Sequence, residues 1–491
     1  MNPTLRPSLT LLSDSLVGSI IDEAMDVLAR IGVLIENDEA LGFLTDAGAI
    51  VDRPSRRVFL PRTLVESCLN SAPTELAVSD SHGERSFRVG GDDVHFDPGS
   101  AALRIFDHAT RTARQPVTGD LISYYRLVDQ LANFHFQSTG LISSDVPREM
   151  ADSYRLFLGL QFCSKPVVTG TFCVEGFAPM LRMLQVVRGG SDELRARPLA
   201  IFDACPSPPL RWSNLTAQSV IDCARAGVPS EFVAMPLTGA TSPVTLTGAL
   251  VQHAAENLAG VVISQATRRG APLIFGGSPS SFDLRTGHPP MGAIETMMID
   301  VAYTQIGKRL HLPTHAYMGL SDAKCIDTQA GIESGTGTLL AALGGVNVVS
   351  GGGMLDFETC QSLEKLVIDN DICGMAYRMI EGIQQREEPM ALPLLAELSE
   401  GMEFLTHPHT LKWYRKEQFY PAIIDRGTYS QWVESGKPSL ADRAERRVDA
   451  LLAHDTGPVL EPGMQRELEG IMLAHARSVG ADSLPTGKAC A

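Results

Sequence analysis

The chain has 491 residues, of which 44% are hydrophobic and 20% charged, and its formal net charge is −16. That length buries one large core with appendages, or two to three ordinary domains. The acidity is not offset by any basic stripe, the longest positive cluster being "AERRVD", which argues against a nucleic-acid or anionic-membrane partner.

No apolar run reaches the about 18 residues of a membrane span. The start, "MNPTLRPSLTLLSDS", lacks the basic and long apolar regions of a signal peptide, so a cytoplasmic location is expected. The nine cysteines are scattered without a Cys-x-x-Cys pair, which suggests neither a zinc ribbon nor a disulfide framework.

In chain order, residues 15–33 place Leu16, Ile20, Ile21, Ala24, Val27, Leu28 and Ile31 on one helical face. A second helix, "NDEALGFLTDAGA", follows, and then "RVFLP" and "LAVSD" read as short strands flanking the helix "RTLVESCLNSA". Residues 1–90 are thus expected to form a helical and hairpin cap.

From Gly90 a pattern recurs of a short apolar strand, a cluster of small or turn-forming residues, and a helix. The expected strands are 94–96, 134–140, 166–170, 198–204, 231–235, 272–277, 314–319 and 346–351. Their separations suit helical crossovers rather than hairpins, so the strands should be parallel. Eight parallel strands with outer helices over residues 91–385 describe an α/β TIM (β/α)8 barrel.

The alternative is an open doubly wound sheet, which usually carries a nucleotide-binding glycine fingerprint. In "VVSGGGMLDF" the sixth position of that fingerprint is Asp356, and no phosphate-binding P-loop occurs. Residues 386–491 form a C-terminal helical extension, with amphipathic stretches at 440–453 and 462–479 expected to pack on the barrel.

Barrel active sites sit where strands end, and the loops there are small and hydroxylated. In "MPLTGATSPVTLTGALVQHAAE" Pro243 stops the strand and Thr245 caps the following helix, whose free N–H groups could meet an anion. Eight such loops suggest a broad mouth that admits a large cofactor or a partner carrying one.

Several long segments occur in an order that resembles the trimethylamine methyltransferase family over about residues 15–435. They are "EALGFLTDAGAIVDRPSRRVFLP", "MPLTGATSPVTLTGALVQHAAENLAG", "GAPLIFGGSPSSFDLRTG", "SDAKCIDTQAGIESG" and "ALGGVNVVSGGGML". The resemblance implies a barrel that moves a methyl group from a methylated amine to the cobalt of a corrinoid (cobalamin) held by a separate protein, so no cofactor is bound permanently. It also implies a homo-oligomer. The family's Asp-x-His-x-x-Gly cobalamin signature is absent here.

The founding trimethylamine enzymes of the family use pyrrolysine. This chain contains standard residues only and looks like the non-pyrrolysine branch, some members of which demethylate glycine betaine or other quaternary amines. Where betaine-acting relatives often have His before the last-strand glycines, Ser350 stands, which departs from the glycine betaine pattern.

A quaternary nitrogen leaves as a neutral amine without a general acid, so positioning is the task, and no catalytic residue is singled out. Aromatic faces that hold a trimethylammonium head are expected at Phe172, Phe202, Phe275 and Tyr317. Acidic candidates are Asp203, Asp322 and Asp327, with Asp322 and Lys324 alternatively bracing each other.

A substrate carboxylate would meet the helix start after Thr245, Lys324 or Arg285. Gly239, Ser242, Gly276, Gly277, Gly351 and Gly352 are the small positions expected to face a docked corrinoid.

Two alternatives remain at this level. Zinc activation would draw on His311 and His315, but Pro313 breaks the helix that would align them. A non-catalytic barrel that senses or scavenges methylated amines would need no corrinoid partner.

Overall fold

The protein is described by a computed structural model covering residues 5–397, 403–454 and 457–485. Each expected strand segment yields one: β1 (His95–Pro98), β2 (Gln137–Ser138), β3 (Val167–Gly170), β4 (Ala200–Ala204), β5 (Ser230–Ala234), β6 (Leu273–Gly277), β7 (His315–Tyr317) and β8 (Val348–Gly352). They pair in parallel in two runs, β6-β5-β4-β3-β2 and β7-β8-β1.

The runs meet at two seams. Phe275 bridges Thr314 in parallel between β6 and the residue before β7, and the His135 and Phe136 amides lie 3.0 and 3.4 Å from the Phe96 carbonyl, joining β1 to β2.

A helix connects each strand to the next, as parallel pairing demands. The longest, Leu246–Thr267, follows the hydroxyl-rich loop and is capped by Thr245, whose side chain accepts from the Gly248 amide at 3.3 Å. Its residues from Ala249 to Gln265 are nearly all buried. A helix that is apolar all round needs cover on both sides, and helices Asp14–Arg30, Asp38–Asp46 and Arg62–Leu69 pack on its outer face.

The antiparallel hairpin Glu75–Ser79/Ser86–Gly90 has a different task. Its Leu76, Val78 and Val89 share a buried cluster with Phe136, just before β2, and with Val168, Ile201, Ile274 and Val348 of β3, β4, β6 and β8. This apolar layer floors the inner face of the strands.

Among the described residues of the C-terminal segment, helix Leu440–Leu452 packs on Leu363–Glu381 and Thr118–Gln130, and Pro462–Ser478 on Ala151–Phe162 and Phe177–Arg188. Between Leu363–Glu381 and Leu440–Leu452 the chain leaves large apolar side chains in solvent, among them Ile383, Met390, Leu392, Tyr420 and Tyr429. No helix among the described residues is long and apolar enough to cross a membrane.

A feature absent from the sequence reading lies beside the C-terminal strand ends. Arg104–Asp107 and Thr112–Arg114 form a hairpin, and Cys360–Gln361 pairs in parallel with the first of these strands and antiparallel with Met354–Leu355. It ties the loop after β8 to the loop after β1.

Candidate active site

Above the apolar floor, the inner face of the strands turns polar. Side chains alternate along a strand, so Ile201 in the floor puts Asp203 one layer higher, and Glu231, His315, Tyr317, Ser350 and Asp97 join it. The layer opens into a cavity of about 390 Å3 at the C-terminal strand ends, lined by Arg155, Phe172, Asp203, Cys205, Tyr317, Phe357 and Glu358 among others.

These groups form a continuous polar chain. Tyr317 Oη donates to Asp203 Oδ2 at 3.4 Å, and Asp203 is registered opposite Glu231 on β5. His315 Nδ1 lies 3.1 Å from Glu231 Oε1, though off the direction of a good hydrogen bond, since both atoms count as unpartnered. His315 Nε2 meets Ser350 Oγ at 3.1 Å, and that hydroxyl is 2.9 Å from both Asp97 oxygens.

Burial governs the charges. It pushes Asp203 up to about 7, raises Glu231 and Asp97 well above the carboxylate range, and drives His315 down to about 3, keeping the ring neutral. Glu358 rises to about 8, first through burial and then through the Asp203 charge. Cys205 has exposed surface yet its thiol is pushed up by burial, as expected for a group that faces the interior of a cavity.

Arg155 is the cation of the site. It is 2% exposed, donates to the Thr139 carbonyl at 2.7 Å, and lies 4.4 Å from the centre of the Phe172 ring. Its Nε has no partner. On the far wall, Asp356, Phe357 and Glu358 take φ of 52, 54 and 66°. Three successive non-glycine residues in that region cost about 1–2 kcal/mol each, and the turn sets the Phe357 ring and Glu358 carboxyl on the cavity.

Of the sequence-derived candidates, the structure brings Tyr317, Asp203 and Phe172 together in the cavity. Phe202 and Phe275 lie elsewhere: they alternate with inward residues and pack outward, on Phe177 and His253 respectively. Ser350 is buried within the polar chain.

Asp322 holds the Met291 and Gly292 amides at 3.0 and 2.9 Å. Lys324 does not pair with its carboxylate. It donates to the Asp322 carbonyl, stands 3.2 Å from Asp356, and sits 3.8 Å from the Phe357 ring centre. Asp327 caps helix Thr328–Gly344, and Arg285 pairs with Asp283 at 2.8 Å on the surface.

The small positions divide likewise. Gly239 and Ser242 lie on the loop after β5, at least partly in solvent, whereas Gly276, Gly277, Gly351 and Gly352 are buried. A Cβ on Gly276 would lie 2.9 Å from His315 Cβ and Nδ1, and one on Gly277 would lie 2.3 Å from His253 Nε2. Gly276 and Gly277 thus make room for the neighbouring His315 and His253 rings. His315 is buried in the polar layer while His311 is exposed before Pro313, so the two do not share a site.

Glu231, Asp97, Arg155 and Glu358 were not among the candidates. A charged residue within a strand buried on both faces departs from the usual apolar run, and "SEFVA" and "HFDP" both contain one. That was the available signal.

An α/β chain with this pocket falls, against known proteins, among the methyltransferases. Residues 3–480 match the profile of the trimethylamine methyltransferase (MTTB) family, and the chain belongs to that family. It is 29% identical over 460 residues to trimethylamine methyltransferase MttB of Desulfitobacterium hafniense, covering 94% of this chain and 92% of the relative. Over 480 residues it is 28% identical to glycine betaine methyltransferase of Desulfitobacterium hafniense strain Y51, covering 97% and 99%. The crystal structure of Methanosarcina barkeri monomethylamine methyltransferase (MtmB) superposes with a TM-score of 0.54 at 12% identity, covering 90% of this chain and 89% of that one. That likeness concerns the fold.

Proposed function

We propose that the protein transfers a methyl group from a quaternary ammonium compound to a corrinoid carried by a separate protein. The observation that carries this reading is the cavity itself: the half-buried acids Asp203 and Glu358 stand among the Tyr317, Phe357 and Phe172 rings. Aromatic faces and acidic groups both attract a fixed cation, each ring contributing roughly 0.5–2 kcal/mol. Arg155, with its unpartnered Nε, offers an anchor for an anionic arm of a zwitterionic substrate.

The wider architecture is read in the same way. The seams at Phe275–Thr314 and at the Phe96 carbonyl, with strand order following chain order, support a closed (β/α)8 barrel over about 91–385. The N-terminal cap ends near residue 90, and the helical extension begins near 386. Exposed apolar residues around the mouth, Met235, Val244 and Leu284 with Phe172, suit a docked corrinoid protein, and those between 383 and 429 suit a second copy of this chain. The protein works in the cytoplasm as a homo-oligomer, which light scattering tests.

The deciding experiment incubates the protein with Co(I) cobalamin and glycine betaine, proline betaine, carnitine, choline or trimethylamine, and follows methyl-cobalamin by absorbance. A quaternary compound is demethylated and trimethylamine is not, because a chain of standard residues has no pyrrolysine to activate the latter. Activity on trimethylamine alone rejects the proposal. Binding without methyl transfer across the panel favours the sensor.

A further inference from the structure

The polar layer raises a charge-balance problem. Asp203 and Glu231 are registered neighbours on adjacent parallel strands. Asp203 Oδ1 and both Glu231 carboxyl oxygens are buried and receive no hydrogen-bond donor. Among the described residues no lysine or arginine stands within ion-pair distance of either group, and their titratable contacts are His315, 3.1 Å from Glu231, and Tyr317, 3.4 Å from Asp203. Two ionised carboxyl groups side by side in a dry interior repel each other and forgo hydration, so the pair retains a proton.

The groups facing the pair come from every side. Asp203 faces Glu231 from β5, Tyr317 from β7, Arg155 from the helix Ala151–Phe162, Glu358 from the loop after β8, and Cys205 just beyond its own strand. Glu231 faces His315 and Tyr303 as well as Asp97 on β1. Arg155 is the one cation in this set and favours ionisation of Asp203.

We propose that the Asp203–Glu231 pair exchanges a proton for the substrate, so that a permanently cationic ammonium group expels about one proton as it binds. The inference rests on the quaternary-amine reading of the pocket. The carboxyl O–H bond breaks with its electrons left on oxygen, and the proton goes to water. When the methyl group leaves, the nitrogen keeps the electron pair of the broken C–N bond and becomes neutral. The incoming charge is then gone, and a proton returns to the carboxyl pair. The exchange keeps the site's charge constant through the cycle and selects against neutral amines, which expel nothing.

The test is calorimetric titration of the intact protein with tetramethylammonium, which has no proton of its own. At about pH 6.5, apparent binding enthalpies in phosphate and imidazole buffers differ by about the difference between the two buffers' ionisation enthalpies, as release of one proton requires. From about pH 6.5 to 5.5 the dissociation constant rises about tenfold.

Buffer-independent enthalpy with measurable binding overturns the proposal, as does the absence of tetramethylammonium binding. Methyl transfer from the amine panel reads the underlying function separately, so activity without proton release discards only this inference. Asp203→Asn abolishes the release, and if that variant does not fold, Glu231→Gln in the same two buffers replaces it. A folded Asp203→Asn or Glu231→Gln variant that still releases a full proton assigns the exchange elsewhere and sinks the idea.

Discussion

Tyr317 and Arg155 act at the scale of single contacts, and their effects separate by substrate. Tyr317→Ala removes an aromatic wall of the cavity and is expected to weaken binding of any quaternary ammonium by about 0.5–2 kcal/mol, measured by calorimetry. Arg155→Met removes a buried guanidinium with an unpartnered Nε. It is expected to weaken glycine betaine, proline betaine or carnitine by about 1.5–3 kcal/mol, the range of hydrogen bonds to charged groups, while choline is unaffected. Equal losses for choline and the carboxylated compounds would mean that Arg155 supports the wall without touching substrate. Asp203 and Tyr317 were legible because both stand at strand ends, where barrels keep their chemistry. Arg155 was not, because it sits mid-helix in "ADSYRLFLGLQF", away from any strand end, and only the fold turns it toward the cavity.

Elements show a second pattern: the strands were read correctly in place and the facing of their side chains less well. Apolar cores flanked by turn residues reveal where a strand lies, but Phe202 and Asp203 are adjacent, and only the structure says which faces inward. The buried glycines are ambiguous in sequence for a related reason, since a small residue beside a ring looks like one beside a ligand. Gly276 tests this. A Cβ there lies 2.9 Å from His315, so Gly276→Ala is expected to destabilise the fold by about 1–3 kcal/mol through overpacking, read from denaturant unfolding. The C-terminal helix Pro462–Ser478 is likewise integral, burying Leu468 and Met472 completely. Leu468→Ala is expected to cost about 2–5 kcal/mol, and a change below 0.5 kcal/mol would show the helix to be dispensable.

Across the whole molecule, buried acids give stability an unusual pH dependence. Burial raises Asp203 and Glu256 to about 7 and Glu358 to about 8, above their unfolded values, so the folded state holds more protons than the unfolded one. Their contribution is present at low pH and lost as pH rises through those values. The buried histidines His253 and His315, driven down to about 3, act in the opposite sense below about pH 6.5. The clean window is therefore about pH 6.5 to 8, where the melting temperature of the ligand-free protein is expected to fall, and saturating tetramethylammonium to reduce the fall. A melting temperature that climbs across this window would contradict the assigned protonation.

The hairpin beneath the strands bears on kinetics. Because Leu76, Val78 and Val89 close the floor beneath the core strands, the proposed methyl transfer to a carrier protein would have amine and acceptor use the same opening at the strand ends. Binding is then compulsorily ordered, amine first and acceptor second. An acceptor that docks on the empty enzyme forms a dead-end complex. Initial rates at fixed amine are accordingly expected to pass through a maximum as acceptor protein is raised, with the inhibition relieved by more amine.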